Sequence, residues 1–241
     1  MVQRSCHRIL SVLIDVVYIK GKTSPNNDEE IRYSLRSLHC VTDLGRVFIT
    51  GNRPSFVTNV IHTPCDDIGC RTINHWYKVT QTILQTDISD DFILMYDDIF
   101  FTKEVSLSNY PFYNRGEMRN HTSGTPAYIE NIREAERVLK KMGKPTLDYS
   151  LHVPCIYNRE KFLQLQEIYK PYIKRGLAPS VRCVYGNMFN VRTEYREDLK
   201  LRGKDSNIGD KECFSTSDES FKNIYNYLKE RFPERCKYEI S

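Results

Sequence analysis

The chain reads as one α/β domain, residues 1–241, with a largely parallel sheet and a helical C-terminal half. Three observations predict this. Strand-like apolar runs alternate with amphipathic helical stretches through the first hundred residues. The helical pattern at 74–85 leads straight into the apolar run 92–96, the order that a crossover to a parallel strand requires. No repeat, low-complexity tract or linker divides the 241 residues, which at 40% hydrophobic can fill one large core.

Residues 14–19 are β-branched and apolar and form the first predicted strand. Basic residues from Arg4 onward precede this run, as in a secretion signal. Asp15 interrupts it, however, and no small-residue cleavage site follows, so the segment is read as a strand. The Gly, Ser, Pro and Asn residues of 21–27 predict a surface loop. Ile31, Leu35 and Leu38 then recur at helical spacing behind Asp28, Glu29 and Glu30, acids that favour a helix N-terminus. Residues 46–50 and 59–63 predict two more strands around the turn Gly51-Asn52-Arg53-Pro54. Trp76, Val79 or Thr80, Ile83 and Leu84 mark the helix that enters the strand 92–96.

After a polar loop over 109–126, an amphipathic helix is predicted from Ile132, Ala135, Val138, Leu139 and Met142. Two further helices fit 159–174 and 218–232, the second with Ser217 or Asp218 as its cap. The carboxyl ends of strands 14–19, 46–50 and 92–96 should open onto one crevice, the expected site.

Composition restricts function only loosely. Thirty-five basic against 31 acidic residues give a net charge of +4, too mild to announce a nucleic-acid binder and compatible with an anionic substrate. Sixteen tyrosines and 11 phenylalanines serve either to stack sugars or bases or to fill a core. Eight cysteines (Cys6, Cys40, Cys65, Cys70, Cys155, Cys183, Cys213 and Cys236) are scattered along a chain too long to need staples. Free thiols in a reducing, cytoplasmic setting are expected. The Cys65 and Cys70 spacing is insufficient for zinc, and Asn120-His121-Thr122 is a glycosylation pattern short enough to arise by chance. No apolar stretch approaches the roughly 20 residues that span a bilayer.

The most informative segment is 90–101, where an apolar run delivers Asp97 and Asp98 and then turns apolar again through Ile99, Phe100 and Phe101. Adjacent acids in a buried setting are costly unless a cation or hydrogen bonds meet them. At the end of a central strand they suit a divalent ion and a nucleotide diphosphate, the alternative being a solvated turn. Arg32 and Arg36, one helical turn apart, share a face and can reach a phosphate, or else pair with Glu29 or Glu30 at the surface.

Four ordered segments, Ile14-Asp15-Val16-Val17-Tyr18, Glu30 to Ser37 with Tyr96-Asp97-Asp98, Leu151-His152-Val153-Pro154 with Arg182, and residues 211–239, together resemble the Stealth family of sugar-phosphate transferases, which includes capsule polymerases and N-acetylglucosamine-1-phosphotransferase. Ile14-Asp15-Val16-Val17-Tyr18 is similar to the family's opening strand, and Glu30-Ile31-Arg32-Tyr33-Ser34-Leu35-Arg36-Ser37 to its second region. That region continues through Val47-Phe48-Ile49-Thr50 to an Asn-Asp-Asp signature, represented here by Tyr96-Asp97-Asp98. Leu151-His152-Val153-Pro154, with Arg182 downstream, resembles the third region. Residues 211–218 and Phe232-Pro233-Glu234-Arg235-Cys236-Lys237-Tyr238-Glu239 resemble the fourth. Three features depart from the family: Ile19-Lys20-Gly21-Lys22 replaces an acidic, tryptophan-containing turn, Tyr96 replaces an asparagine, and Ser217-Asp218 stands where an Asn-Asp pair is common.

The resemblance implies a GT-A-like, Rossmann-like domain that takes a nucleotide-sugar donor and a hydroxyl acceptor such as a polysaccharide. It implies Mg2+ or Mn2+ held by Asp97, Asp98 and Asp218, donor contacts from Asp15, Arg32, Arg36 and Asp97, and catalytic roles for Asp98, His152 and Arg182. His152 is the expected base, since histidine titrates in the useful range. Attack at phosphorus would transfer a sugar phosphate and attack at the anomeric carbon a sugar; the motifs serve both.

Other classes compete. Met95-Tyr96-Asp97-Asp98 lacks the intervening residue of the reverse-transcriptase Tyr-x-Asp-Asp hairpin, and the chain has no room for polymerase fingers and thumb. A compact glycosyltransferase acting on a DNA base keeps the donor site and changes the acceptor. A non-catalytic binding module on the same fold is the third alternative.

Overall fold

The computed structural model describes residues 13–22, 24–174 and 178–240; Cys6 and the basic stretch from Arg4 lie outside them. The elements follow in the order β1 (Ile14–Lys20), α1 (Glu29–Ser37), β2 (Leu44–Gly51), β3 (Ile61–Thr63), α2 (Arg71–Gln85), β4 (Asp91–Met95), β5 (Ile99–Phe101), β6 (Phe112–Asn114) and α3 (Pro126–Lys141). They continue with β7 (Cys155–Asn158), α4 (Arg159–Gln164), α5 (Gln166–Lys174), α6 (Val181–Met188), β8 (Thr193–Tyr195), β9 (Cys213–Ser215) and α7 (Asp218–Arg231).

The central sheet runs β3-β2-β1-β4-β7. β1, β2, β3 and β4 are parallel and β7 is antiparallel at the edge. From β1 the chain crosses to β2 on one side and later returns to β4 on the other, so strand order switches between β1 and β4. In such sheets the carboxyl ends at the switch leave a crevice.

Alternation along the strands sends side chains into two apolar layers. Val16 and Tyr18 of β1 and Ile93 and Met95 of β4 join Ile31 and Leu35 of α1. Val17, Phe92 and Leu94 face the other way, onto Val79 and Ile83 of α2 and Ile132, Ala135 and Leu139 of α3. A third cluster packs α7 through Phe221, Ile224 and Leu228 onto Phe100 of β5 and Phe214 of β9. The fold thus seats β4 between two cores and delivers residues 96–98 at its end.

The predicted helix over 159–174 is broken: Leu165, fully buried, donates to the Phe162 carbonyl at 3.1 Å and separates α4 from α5. The polar loop 109–126 contains β6, which pairs with β8 in parallel. α6 was outside every predicted element, because seven of its eight residues are buried and a helix without a polar face has no amphipathic period. Ser217 caps α7 in a reciprocal arrangement with Ser220, one of the two caps expected. The cysteines Cys40, Cys65, Cys70, Cys155, Cys183, Cys213 and Cys236 are all free. Among the described residues no helix is long and apolar enough to cross a membrane.

Candidate active site at the carboxyl ends of the strands

β1 ends on Lys20, and the turn from β4 to β5 carries Tyr96, Asp97 and Asp98 beside it. At the neighbouring end of β2, Gly51 has φ 113°, and a side chain there would put its Cβ 2.0 Å from the Lys20 carbonyl oxygen, so only glycine fits. The two acids, adjacent in sequence, turn to different partners. Asp97 Oδ2 lies 3.4 Å from Lys20 Nζ, whose ammonium also meets Asp28 Oδ1 at 2.8 Å. Asp98 Oδ2 lies 3.0 Å from Lys200 Nζ, while its Oδ1 faces His152 Nδ1 at 3.3 Å.

Asp98 is the more buried acid, its side chain 16% exposed against 34% for Asp97. Burial pushes its carboxyl up to about 6, against the attraction of Lys200 and with added repulsion from Asp97. Burial also holds the His152 imidazole well below its usual range, helped by the cations Lys200 and Arg182. A neutral imidazole therefore faces the acid.

Several side chains fix that imidazole. Its ring stacks on Tyr96, centroids 4.6 Å apart and planes 13° apart. Tyr96 OH is anchored to His75 Nδ1 at 2.9 Å, and the Arg182 guanidinium lies 4.7 Å from the Tyr96 ring centroid. Arg182, buried in α6, also donates to the Leu151 carbonyl, while Asp198 Oδ1 accepts from the His152 backbone N–H at 3.0 Å. Arg182, expected to be catalytic, is 4% exposed and packs against Tyr96 and the backbone beside His152.

Buried polar atoms without hydrogen-bond partners concentrate here: Lys20 Nζ, Asp28 Oδ1, Asp98 Oδ1, His152 Nδ1, Arg182 Nε and Nη2, Ser215 Oγ and Thr216 Oγ1. The last two belong to the strand end whose Thr216 N–H donates to the Asp98 carbonyl at 3.2 Å. Unpaired buried polar groups are expensive, and a concentration of them at one strand end marks a place built for something other than stability.

Other expected residues lie elsewhere. Asp15 sits at the opposite end of β1, roughly 16 Å away at the rise of a strand. There it accepts from Arg46 N, Nε and Nη2 (2.9, 3.3 and 2.8 Å) and from Ser89 N and Oγ (3.0 and 2.8 Å). Arg32 and Arg36 do share a face, but the anion they meet is Glu239: Arg32 Nη1 donates at 2.7 Å and Arg36 Nε and Nη2 at 2.7 and 2.9 Å. Arg32 Nε also donates to Glu29 at 2.8 Å, the surface pairing that the spacing allowed. Both guanidiniums are spent on tying α1 to the C-terminal tail. Asp218 is exposed in the first turn of α7. Among the described residues no three Asp, Glu, His or Cys side chains gather closely enough to hold a metal, so Asp97, Asp98 and Asp218 do not form the expected set.

No family model and no curated protein matches the chain. Solved structures do. The galactosyltransferase LgtC, determined with donor and acceptor sugar analogues, superposes with a TM-score of 0.53 at 7% identity, over 93% of this chain and 98% of that one. The chain has the GT-A glycosyltransferase fold. GlyE, a glycosyltransferase of Streptococcus pneumoniae TIGR4, is a more distant match, with a TM-score of 0.38 at 12% identity over 78% of this chain; the chain spans 46% of GlyE.

On this GT-A fold the fit to a divalent ion rests on Asp98 and His152. Their facing atoms, 3.3 Å apart, have no hydrogen-bond partner among the described residues. Mg2+ is commonly held through one or two carboxylates, with substrate phosphates and water completing its shell, and Asp98 Oδ1 is the carboxylate oxygen left open here. Sequence reasoning missed Lys20, Asp28 and Lys200. Lys20 carried the same signal as the acids, a charge ending a buried run; the others are brought in by tertiary contacts that leave no local pattern.

Proposed function

We propose that the protein is a nucleotide-sugar-dependent transferase that moves a sugar-phosphate or glycosyl group onto an acceptor hydroxyl, with a polysaccharide as the acceptor class and Stealth-like ancestry. The observation that carries this reading is the unsatisfied Asp98 and His152 pair at the switch point of a GT-A sheet. Asp98 and His152 would hold Mg2+ or Mn2+, which when bound supplies positive charge to the donor diphosphate and stabilises the departing phosphate oxygen.

The chain's own groups complete the chemistry. Lys200, 20% exposed and 3.0 Å from Asp98, can turn its remaining donors to a phosphate oxygen. Tyr96 and Arg182 keep the His152 ring from rotating, so the site is set before the donor arrives. The acceptor oxygen then forms a bond to phosphorus or to the anomeric carbon, the bond to the nucleotide breaks, and the hydroxyl proton leaves to solvent.

Incubation with a panel of nucleotide sugars, an oligosaccharide acceptor and Mn2+ distinguishes the outcomes by the nucleotide released. Nucleoside monophosphate indicates sugar-phosphate transfer and nucleoside diphosphate glycosyl transfer. Absence of both across the panel would overturn the reading in favour of a binding module.

A further inference from the structure

Away from the switch point, a cavity of about 310 Å³ opens between β7 and the turn that follows α6. β7 is the last strand of the sheet, so one side of its backbone has no strand to pair with. The Asn158 N–H points to that side and donates to Tyr185 OH at 2.8 Å. Backbone groups alternate in direction along a strand, so the N–H and carbonyl of Ile156 turn the same way, toward the cavity that Ile156 lines. Phe189, half-buried, supplies an aromatic wall, with Lys161 Nζ 5.9 Å from its ring centroid. Lys161 and Arg192 are exposed on the lining, and among the described residues neither has an ion pair. The acid on the lining, Asp91, already accepts from Asn158 Nδ2 at 2.9 Å.

We infer that this cavity is a second saccharide site, which holds an anionic sugar unit of a polymeric acceptor at a distance from the reacting end. An aromatic wall beside a free backbone donor and acceptor suits a ring that is apolar on its face and hydroxylated at its edge. Two cations without partners, against one acid already engaged, select a ring that carries negative charge. A peptide adding to the sheet as a further strand needs a row of free backbone groups. β7 offers it only Ile156, because Tyr185 takes the Asn158 N–H. β7 also joins the cavity to the candidate active site: His152 and Asn158 are six residues apart, no more than about 22 Å of extended chain. An oligosaccharide of several rings covers that span. Anchoring it at the cavity raises the effective concentration of its end at Asp98 and His152. The consequence is that long anionic acceptors have a lower KM than short or neutral ones, with kcat unchanged.

The acceptor role rests on the transferase reading, but the site is tested without turnover. Hexamers of galacturonic acid and of glucose are titrated calorimetrically into the wild type, the double variant Lys161→Gln with Arg192→Gln, Phe189→Leu and Asp98→Asn. The acidic hexamer should bind the wild type and Asp98→Asn equally and the double variant roughly tenfold more weakly, as two charge-assisted contacts are lost. The glucose hexamer should bind the wild type about as weakly as the acidic one binds the double variant. Phe189→Leu keeps both cations and should weaken the acidic hexamer several-fold, which charge attraction alone does not predict. The two cations are exposed, so their replacement leaves the core intact, and circular dichroism identifies the folded variants. Equal binding of the two hexamers, undiminished binding of the acidic one to the double variant or to folded Phe189→Leu, or no binding of it to the wild type would overturn the inference. A loss confined to Asp98→Asn would also overturn it, since the sugar would then sit in the crevice. Hexamer binding as expected without turnover of any nucleotide sugar would count against the transferase reading alone.

Discussion

The two ends of the central sheet handle buried acid in opposite ways. At the amino end Asp15 receives its hydrogen bonds from Arg46 and Ser89; although burial opposes ionisation, those bonds bring its carboxyl below the usual range. At the carboxyl end, burial dominates Asp98 and raises it to about 6, with one oxygen left facing a neutral imidazole. The strands are neighbours and the residue type is the same. The difference teaches that the acid is fully paired at one end of the sheet and keeps an oxygen without a partner at the other, the arrangement in which a bound ligand or water can take part.

The largest effect that would break this contrast is on activity. Asp98→Asn should lower turnover by about a thousandfold, the scale of losing a principal group for charge stabilisation, while the melting temperature stays level or rises because a strained buried charge is gone. Wild-type rates in this variant would remove Asp98 from the chemistry. Asp15→Ala should do the reverse. Removing the buried carboxylate takes hydrogen bonds from Arg46, which is exposed and keeps Asp87, and from the half-buried Ser89, and costs about 1.5 kcal/mol in denaturant melts, with turnover per folded molecule unchanged.

Next in size is a pH effect from a fully paired acid elsewhere in the molecule. Glu239, 7% exposed, is held by Arg36 and Arg32 against the opposing cost of burial, and its carboxyl falls from an ordinary 4.5 to about 2. A depressed acid contributes stability above its unfolded value and loses it as pH falls through the folded one. About 3 kcal/mol should therefore disappear between pH 4.5 and 2 and be absent from that window in Glu239→Gln. The smallest effect is Tyr96→Phe, which removes the hydrogen bond to His75 but keeps the stack on His152. A stability loss of about 1 kcal/mol with a several-fold fall in turnover is expected.

The contrast also explains what was legible in the sequence. Val16 and Val17 of β1, Ile31 and Leu35 of α1 and Phe92 to Met95 of β4 announce themselves by period, because each packs through its own local pattern. β5 and β9 are three-residue strands that exist by pairing Phe100 with Phe214, more than a hundred residues apart, and no local signal marks them. At the site, Asp97 and Asp98 stood out as charges ending an apolar run. Arg32 and Arg36 were correctly placed on one face, yet the carboxylate that claims them comes from residue 239. Asp15 was expected at the donor site only through the resemblance of its strand to a family's opening region; it lies at the strand's amino end, bonded to Arg46 and Ser89. Lys200 carried no local signal, since it meets Asp98 only through the fold.

The central claim is that the carboxyl end of the sheet is the donor site, and calorimetry tests it most directly. The four ribonucleoside diphosphates, each with Mn2+, are titrated into the wild type, Asp15→Asn and Asp98→Asn. At least one nucleotide should bind the wild type and Asp15→Asn with equal affinity and bind Asp98→Asn at least tenfold more weakly. Undiminished binding to Asp98→Asn, or no binding of any of the four to the wild type, would contradict the account.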